Sequence, residues 1–348
     1  MAAIFLLFCL GLAAIYSVSL SQSNQDFNYF KKQVLFGVIG LALFFFIAFR
    51  NYSVFRVYSR WIYAIALVLL IAVLFFGKTV NGTTGWFQFA GMSLQPVELA
   101  KIALIISLAK FFSNRFQQFN ITKHLIVSFA LTMILTVPVL LQPDLGSAAV
   151  LLGIWFIMVI ITGVPKKYLL IILLIIFVIG SIGWLFVLKD YQKERVMNFV
   201  HPTADPLSSG YNVSQSIIAS GSGKIFGRGL GFGSQSQLKF IPESQTDFIF
   251  AVIAEELGLL GVTLLLASWG IVFYRLMLIA RKANNDFGLF IVLGVIILFF
   301  LHLIVNIGMN LGIMPVTGIP LPLLSYGGSF LLSTFVLLGL AESVAVKR

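Results

Sequence analysis

Cysteine is almost absent from this chain: Cys9 is the only one in 348 residues. A lone cysteine closes no intramolecular disulfide, and with three histidines there is no Cys/His cluster of zinc-site spacing. Charge is scarce as well, at 10% of residues, against about 25% in a soluble domain. There is no P-loop, no GxSxG elbow, no HExxH and no CxxC. These absences exclude a disulfide scaffold, a zinc enzyme and the common motif-bearing nucleotidases and hydrolases. The net charge of +11 does not mark a nucleic-acid binder, because the basic residues punctuate apolar segments and form no stripe interleaved with aromatics. What is abundant is apolar: 59% of residues are hydrophobic, 35 are Phe, and the mean hydropathy is +1.03.

A membrane span needs about 20 mostly apolar residues. Ten runs qualify, at roughly 2–20, 33–49, 61–77, 97–113, 125–141, 146–163, 168–188, 248–274, 287–311 and 327–346. The expected fold is therefore an all-α polytopic membrane protein, a single domain over 1–348. The first run begins at Met1 with no charged n-region and no clear cleavage site, so it reads as a retained helix.

Basic residues in short loops set orientation. One side holds Arg50, Arg56, Arg60, Arg115, Lys123, Lys166, Lys167, Arg281, Lys282, Lys347 and Arg348; the other holds Lys31, Lys32 and Lys78. Both termini are expected in the cytoplasm, which places the long 189–247 segment between helices 7 and 8 outside. That segment is too long for a passive connector. It contains a helical stretch, YNVSQSIIAS (211–220), and a glycine-rich run, GSGKIFGRGLGFGS (221–234). Residues 78–96 and 312–326 read as two further irregular outer segments. Together the three suggest an outward-facing cavity.

Acidic residues near a membrane are costly, so each is a functional candidate. Glu98 and Lys101, three apart, share a helix face: either they neutralise each other, or Lys101 meets an anionic oxygen while Glu98 orients it or holds a cation. Asp144, in QPDLGS, is either a helix N-cap or a carboxylate at the cavity mouth. Asp247 is either a cap or a general base; the glycine-rich run before it either brings backbone N–H groups to a phosphate or is a flexible linker. Glu255 and Glu256 lie deeper in the same helix and call for separate partners. His302, Asn306 and Asn310 share a helix face and form a candidate polar seam. Carboxylates, lysine and backbone suit proton abstraction from a sugar hydroxyl with a diphosphate leaving group.

Five segments carry a resemblance: QPVELAK (95–101), QPDLGSA (142–148), GYNVSQSIIASGSG (210–223), GSQSQLKFIPESQTDFIFAVIAEELGLLG (233–261) and NIGMNLGIMPVTGIPLPLLSYGGS (306–329). In these the chain resembles the SEDS family of peptidoglycan glycosyltransferases, within it the RodA branch more than FtsW on GSQSQL and PVTGIPLP. The resemblance implies polymerisation of lipid II into β-1,4-linked glycan at the outer leaflet of the bacterial inner membrane, with a class B penicillin-binding protein as transpeptidase partner. It implies Asp247 as base, with Lys101 and Glu98 in the catalytic set. The substrate-binding candidates are Asp144, Arg195, Gln215 and Ser325. Glu98 and Asp144 are the candidates to hold a divalent cation, Mg or Mn. Two other classes stay open. A lipid II flippase is kept alive by Glu255, Glu256 and His302, and a non-catalytic scaffold would make Asp247 a cap only.

Overall fold

The computed structural model describes residues 1–20, 27–80, 82–89, 92–115, 121–186, 193, 197, 199, 209–238 and 240–347. Among these, ten long helices coincide with the ten apolar runs: α1 (Ala2–Leu20), α2 (Asn28–Ala48), α3 (Ser53–Phe76), α4 (Pro96–Arg115), α5 (Ile121–Leu141), α6 (Leu145–Ile161), α7 (Lys166–Phe186), α10 (Ile249–Arg281), α11 (Asp286–Asn310) and α12 (Gly328–Val346). The polar stretch before α10 adds α8 (Ser209–Ser222) and the short α9 (Ser234–Gln237). Seven of the long helices are long and apolar enough by themselves to cross a membrane. The chain is a multi-span membrane protein.

The helices approach closely where glycine faces a bulky neighbour, as membrane helices do when small residues line an interface. A Cβ on Gly40 of α2 would stand 2.3 Å from the Phe335 ring of α12, and one on Gly339 of α12 would stand 2.9 Å from the Phe44 main-chain oxygen. α4 is deeply buried: Ala100, Ala103, Leu104, Ile105, Leu108 and Ala109 are fully enclosed. It packs against α3 and α11, so whatever polar groups it carries are set deep in the bundle.

The expectation of irregular chain over 78–96 is corrected. A three-stranded antiparallel sheet stands there, β1 (Lys78–Val80), β2 (Thr83–Phe89) and β3 (Met92–Leu94), with Lys78 opposite Trp86, Val80 opposite Thr83 and Phe87 opposite Leu94. The signal is in the sequence: Asn81-Gly82 between two β-prone runs favours a two-residue hairpin.

α10 is broken. Gly258 has φ 63° and ψ −160°, a conformation essentially confined to glycine. The break frees carbonyls before it and N–H groups after it, and the glycine-rich run 223–231 supplies both sets of partners. Arg228 and Gly229 N–H donate to the carbonyls of Glu255 and Glu256, while Leu259 and Leu260 N–H donate to those of Lys224 and Ile225, at 2.9–3.1 Å. The fit needs glycine: a Cβ on Gly227 would stand 2.1 Å from the Glu256 oxygen, and one on Gly258 would stand 2.3 Å from Gly227 N. The run is thus a splint across the broken helix. Of the two readings of this run, phosphate cradle or flexible linker, neither describes Arg228 and Gly229, whose N–H groups are spent on α10.

Candidate functional site

The junction entering α10 is held by its main chain. Gln245, Thr246 and Asp247 each present a carbonyl, and the segment around α11 and 319–326 takes all three. Tyr326 N–H donates to Gln245 O at 2.8 Å. The Ser325 hydroxyl donates to Thr246 O at 2.6 Å. The side-chain amides of Asn306 and Asn310 both donate to Asp247 O at 3.0 Å. Asn306 and Asn310 are fully buried. Asn306 also donates to Ile319 O at 2.8 Å, and Asn310 accepts the Ala251 N–H at 3.2 Å and the Ser216 hydroxyl at 3.2 Å. The polar seam read from the sequence therefore exists, and its consequence is new: it fixes the backbone at Asp247. The helix N-cap is Phe248, with no side-chain cap hydrogen bond, so Asp247 does not occupy the capping position.

The Asp247 carboxylate is half-buried and lies beside Gly318, where an added Cβ would stand 3.5 Å from Oδ2. On the other side of the same turn, a Cβ on Gly146 would stand 2.6 Å from the Thr317 main-chain oxygen. Gly146 is two residues after Asp144, so the Thr317–Gly318 turn is flanked by both aspartate-bearing segments. Asp144 is the N-cap of α6: its Oδ1 accepts the Ser147 N–H at 2.9 Å. The capping reading of Asp144 is thus present in the geometry, with the rest of the carboxylate half-buried at the same end of the bundle.

Glu98 and Lys101 form the expected pair, and they form it inside the protein. Lys101 Nζ lies 2.7 Å from Glu98 Oε1, with side-chain exposures of 3% and 7%. Lys101 also meets His302 Nε2 at 3.3 Å, and His302 Nδ1 lies 3.0 Å from Pro320 O. The Pro320 carbonyl can only accept, so Nδ1 carries the ring proton and Nε2 accepts from the ammonium. Ser333 donates to Glu98 Oε2 at 3.0 Å. The Phe330 ring completes the enclosure, 5.6 Å from Lys101 Nζ and stacked on His302 at 5.2 Å. Lys101 thus faces Glu98, His302 and an aromatic ring, where the sequence suggested an anionic oxygen of a substrate. The chain Glu98–Lys101–His302 ends on Pro320, two residues from Gly318.

Ser325 is buried, accepting Leu321 N–H at 2.8 Å while donating to Thr246 O. Its hydroxyl is committed to main chain, where the sequence suggested substrate. Gln215 is half-buried on α8, one residue before Ser216, which docks on Asn310. Arg195 lies outside the described residues. Tyr326 stacks edge-on against Tyr29 at 4.7 Å, and burial, then the Tyr29 phenol, raise its hydroxyl above the ordinary tyrosine value.

The deeper carboxylates have structural partners. Glu255 accepts Gln235 N–H at 2.8 Å and Ser236 N–H at 3.0 Å, fastening α9 to α10. Glu256 Oε1 accepts the Ser17 hydroxyl at 2.5 Å, tying α1 to the same point.

A divalent cation fits these residues poorly. Both Glu98 oxygens are engaged, one by an ammonium, and no group of three or more His, Cys, Asp or Glu side chains gathers among the described residues. A hard cation needs several oxygen ligands.

Comparison with known proteins places these features in a family. The chain is 37% identical to peptidoglycan glycosyltransferase MrdB of Escherichia coli (strain K12) over 331 residues, 94% of this chain and 88% of that protein. It is 36% identical to stage V sporulation protein E of Bacillus subtilis (strain 168), covering 99% and 94% of the two chains. A solved structure described as "Structural coordination of polymerization and crosslinking by a peptidoglycan synthase complex" matches with a TM-score of 0.79 at 33% identity, over 100% of this chain and 98% of that one. The crystal structure of Thermus thermophilus rod shape determining protein RodA matches with a TM-score of 0.74 at 28% identity, over 99% and 95%. The model of the cell cycle protein family FTSW_RODA_SPOVE matches residues 1–348, and this chain belongs to that family.

Proposed function

We propose that the chain is a peptidoglycan glycosyltransferase of the RodA type: one membrane domain over 1–348 that polymerises lipid II into β-1,4-linked glycan. Both termini lie in the cytoplasm of a bacterial inner membrane, and Asp247 faces the outer leaflet. Asp247 accepts the proton of the acceptor sugar's 4-hydroxyl. That oxygen forms the new bond to C1 of the donor sugar, the bond from C1 to the diphosphate oxygen breaks, and undecaprenyl diphosphate leaves. Attack from the face opposite the α-linked leaving group gives the β bond.

The observation that carries this reading is that three successive carbonyls at Gln245–Asp247 are hydrogen-bonded, which sets a half-exposed carboxylate on a backbone held at each of these residues. Preorganisation of this kind is what a base needs, since a misplacement of about 1 Å can cost about 100-fold in rate. Asp144, across the Thr317–Gly318 turn, contributes to sugar or diphosphate binding, with Gln215 nearby in sequence to the docked Ser216. Arg195 is the cation proposed for the departing diphosphate. Lys101, Glu98 and Ser325 act from behind as positioning residues, because each already spends its polar atoms within the protein. No step is assigned to a cation.

Transport loses its motivating residues, since Glu255, Glu256 and His302 all have partners that tie helices together. The direct test is polymerisation of labelled lipid II by the purified protein in liposomes. Glycan polymer supports the reading; flipped but unpolymerised lipid II overturns it. A class B penicillin-binding protein is the proposed partner. Turnover is measured with and without it, its transpeptidase serine blocked, and a rise of about ten- to a hundred-fold corresponds to a competent state populated at about 10% to about 1% alone.

A further inference from the structure

We propose that the glycine splint of α10 is also a membrane anchor, with Phe226, Leu230 and Phe232 inserted into the outer leaflet at the boundary of headgroups and acyl chains. Phe226 is 80% exposed and Phe232 77%, and Ile225 and Leu230 beside them are also open to the surroundings. Apolar side chains in such a cluster mark an interaction surface when they are not in water by chance. Their depth is fixed by the hydrogen bonds of the splint to Glu255, Glu256, Leu259 and Leu260, which make it one body with the helix break.

That break sits at a definite level. From Leu259 to Arg281 the helix runs for about 35 Å at ~1.5 Å per residue, and a hydrocarbon core is about 30 Å thick. With Arg281 and Lys282 at one face, Gly258 lies at the other. α1 gives the same level independently: the Gly231 N–H donates to the Ser17 hydroxyl at 3.0 Å, three residues before α1 ends at Leu20. Leu259 and Leu260, exposed at 55% and 54%, continue the apolar surface from the splint down the exposed side of α10. Lys224 and Arg228 are both exposed between the apolar residues, Arg228 donating to the Ser234 hydroxyl at 2.7 Å, and Lys224 is placed to reach up to headgroups while its neighbours stay in the chains. The occupant is therefore the lipid surface, and not water. The anchor fixes the height of the break, and through the helix from Ile249 the height of Asp247, relative to a lipid-linked substrate.

The test uses the full chain in phosphatidylethanolamine–phosphatidylglycerol liposomes. In a Cys9→Ala background, a nitroxide is attached at Phe226→Cys, at Phe232→Cys and, as an aqueous control, at Glu243→Cys. Spin relaxation by oxygen, which concentrates in lipid, is compared with that by a water-soluble nickel chelate. Positions 226 and 232 are expected to favour oxygen several-fold over position 243. Nickel access equal to that of position 243 overturns the proposal. So does protection from both reagents that appears only when a partner protein is added, which assigns the cluster to a protein contact. Photolabelling of the unmodified protein with a lipid-borne diazirine supplies the answer if a labelled variant fails to fold. Adducts within 225–232 are expected, and adducts only from a water-soluble diazirine overturn the anchor.

Discussion

Asn310 joins both sides of the entrance to α10: its Nδ2 donates to the Asp247 carbonyl at 3.0 Å, and its Oδ1 accepts the Ala251 N–H at 3.2 Å. One side chain thus satisfies the last turn residue and the first helical turn. Asn310→Leu keeps the size and removes both bonds, while Asn306 still donates to Asp247 O and Phe248 O still accepts the Ala251 N–H, so each lost bond costs about 0.5–1.5 kcal/mol. The melting temperature is expected to fall, and polymerisation to fall further than the folded fraction does. Activity tracking the folded fraction alone would mean that the bond holds the fold and not the base.

The Glu98–Lys101 pair separates a positioning role from a substrate contact. Lys101→Met strands a buried carboxylate, a loss of about 3–5 kcal/mol. Adding Glu98→Gln removes that charge and is expected to restore most of the stability. Lipid II affinity of the stable double variant is the measurement. Affinity close to wild type fits a lysine facing His302 and Glu98; a drop of ten-fold or more returns Lys101 to direct contact with the diphosphate.

Two glycines of α10 should behave oppositely. Gly258→Ala places a side chain at φ 63° and 2.3 Å from Gly227 N. Strain of about 1–3 kcal/mol in such backbone adds to that clash, so folded yield is expected to collapse. Gly270 has nothing within 4 Å of its absent Cβ, and Gly270→Ala should be neutral or gain up to about 1 kcal/mol of helix propensity. Thermal stability of the two variants in the same detergent checks the contrast.

The helices were legible because each span is a long apolar run bounded by charge or proline, a local property. The Glu98–Lys101 contact was legible for the same reason, since three residues on one helix are neighbours. Asp144 as a cap followed from its place before Leu145. The small sheet was also within reach, through Asn81-Gly82, but the sparse alternation of TTGWFQF is easily passed over beside helices of 20 residues. The rest depended on pairs far apart in the chain. Asn306 and Asn310 reach Asp247, 59 and 63 residues earlier, and Ser325 reaches Thr246, 79 earlier. Nothing in the local pattern of an apolar helix says which carbonyl its asparagine will meet. The glycine run stayed open between two readings for a related reason: free N–H groups look the same in sequence whether they await a phosphate or the carbonyls of a broken helix.

Asp247→Asn is the most direct test of the central claim. The substitution keeps the size and hydrogen-bonding reach of the side chain, leaves the main-chain bonds from Asn306, Asn310 and Ser325 in place, and removes the basicity. The measurement is polymerisation of labelled lipid II by the purified variant in liposomes, alongside its melting temperature and lipid II affinity. The expected result is a folded protein that binds lipid II and makes no polymer. Polymer at the wild-type rate would contradict Asp247 as the base.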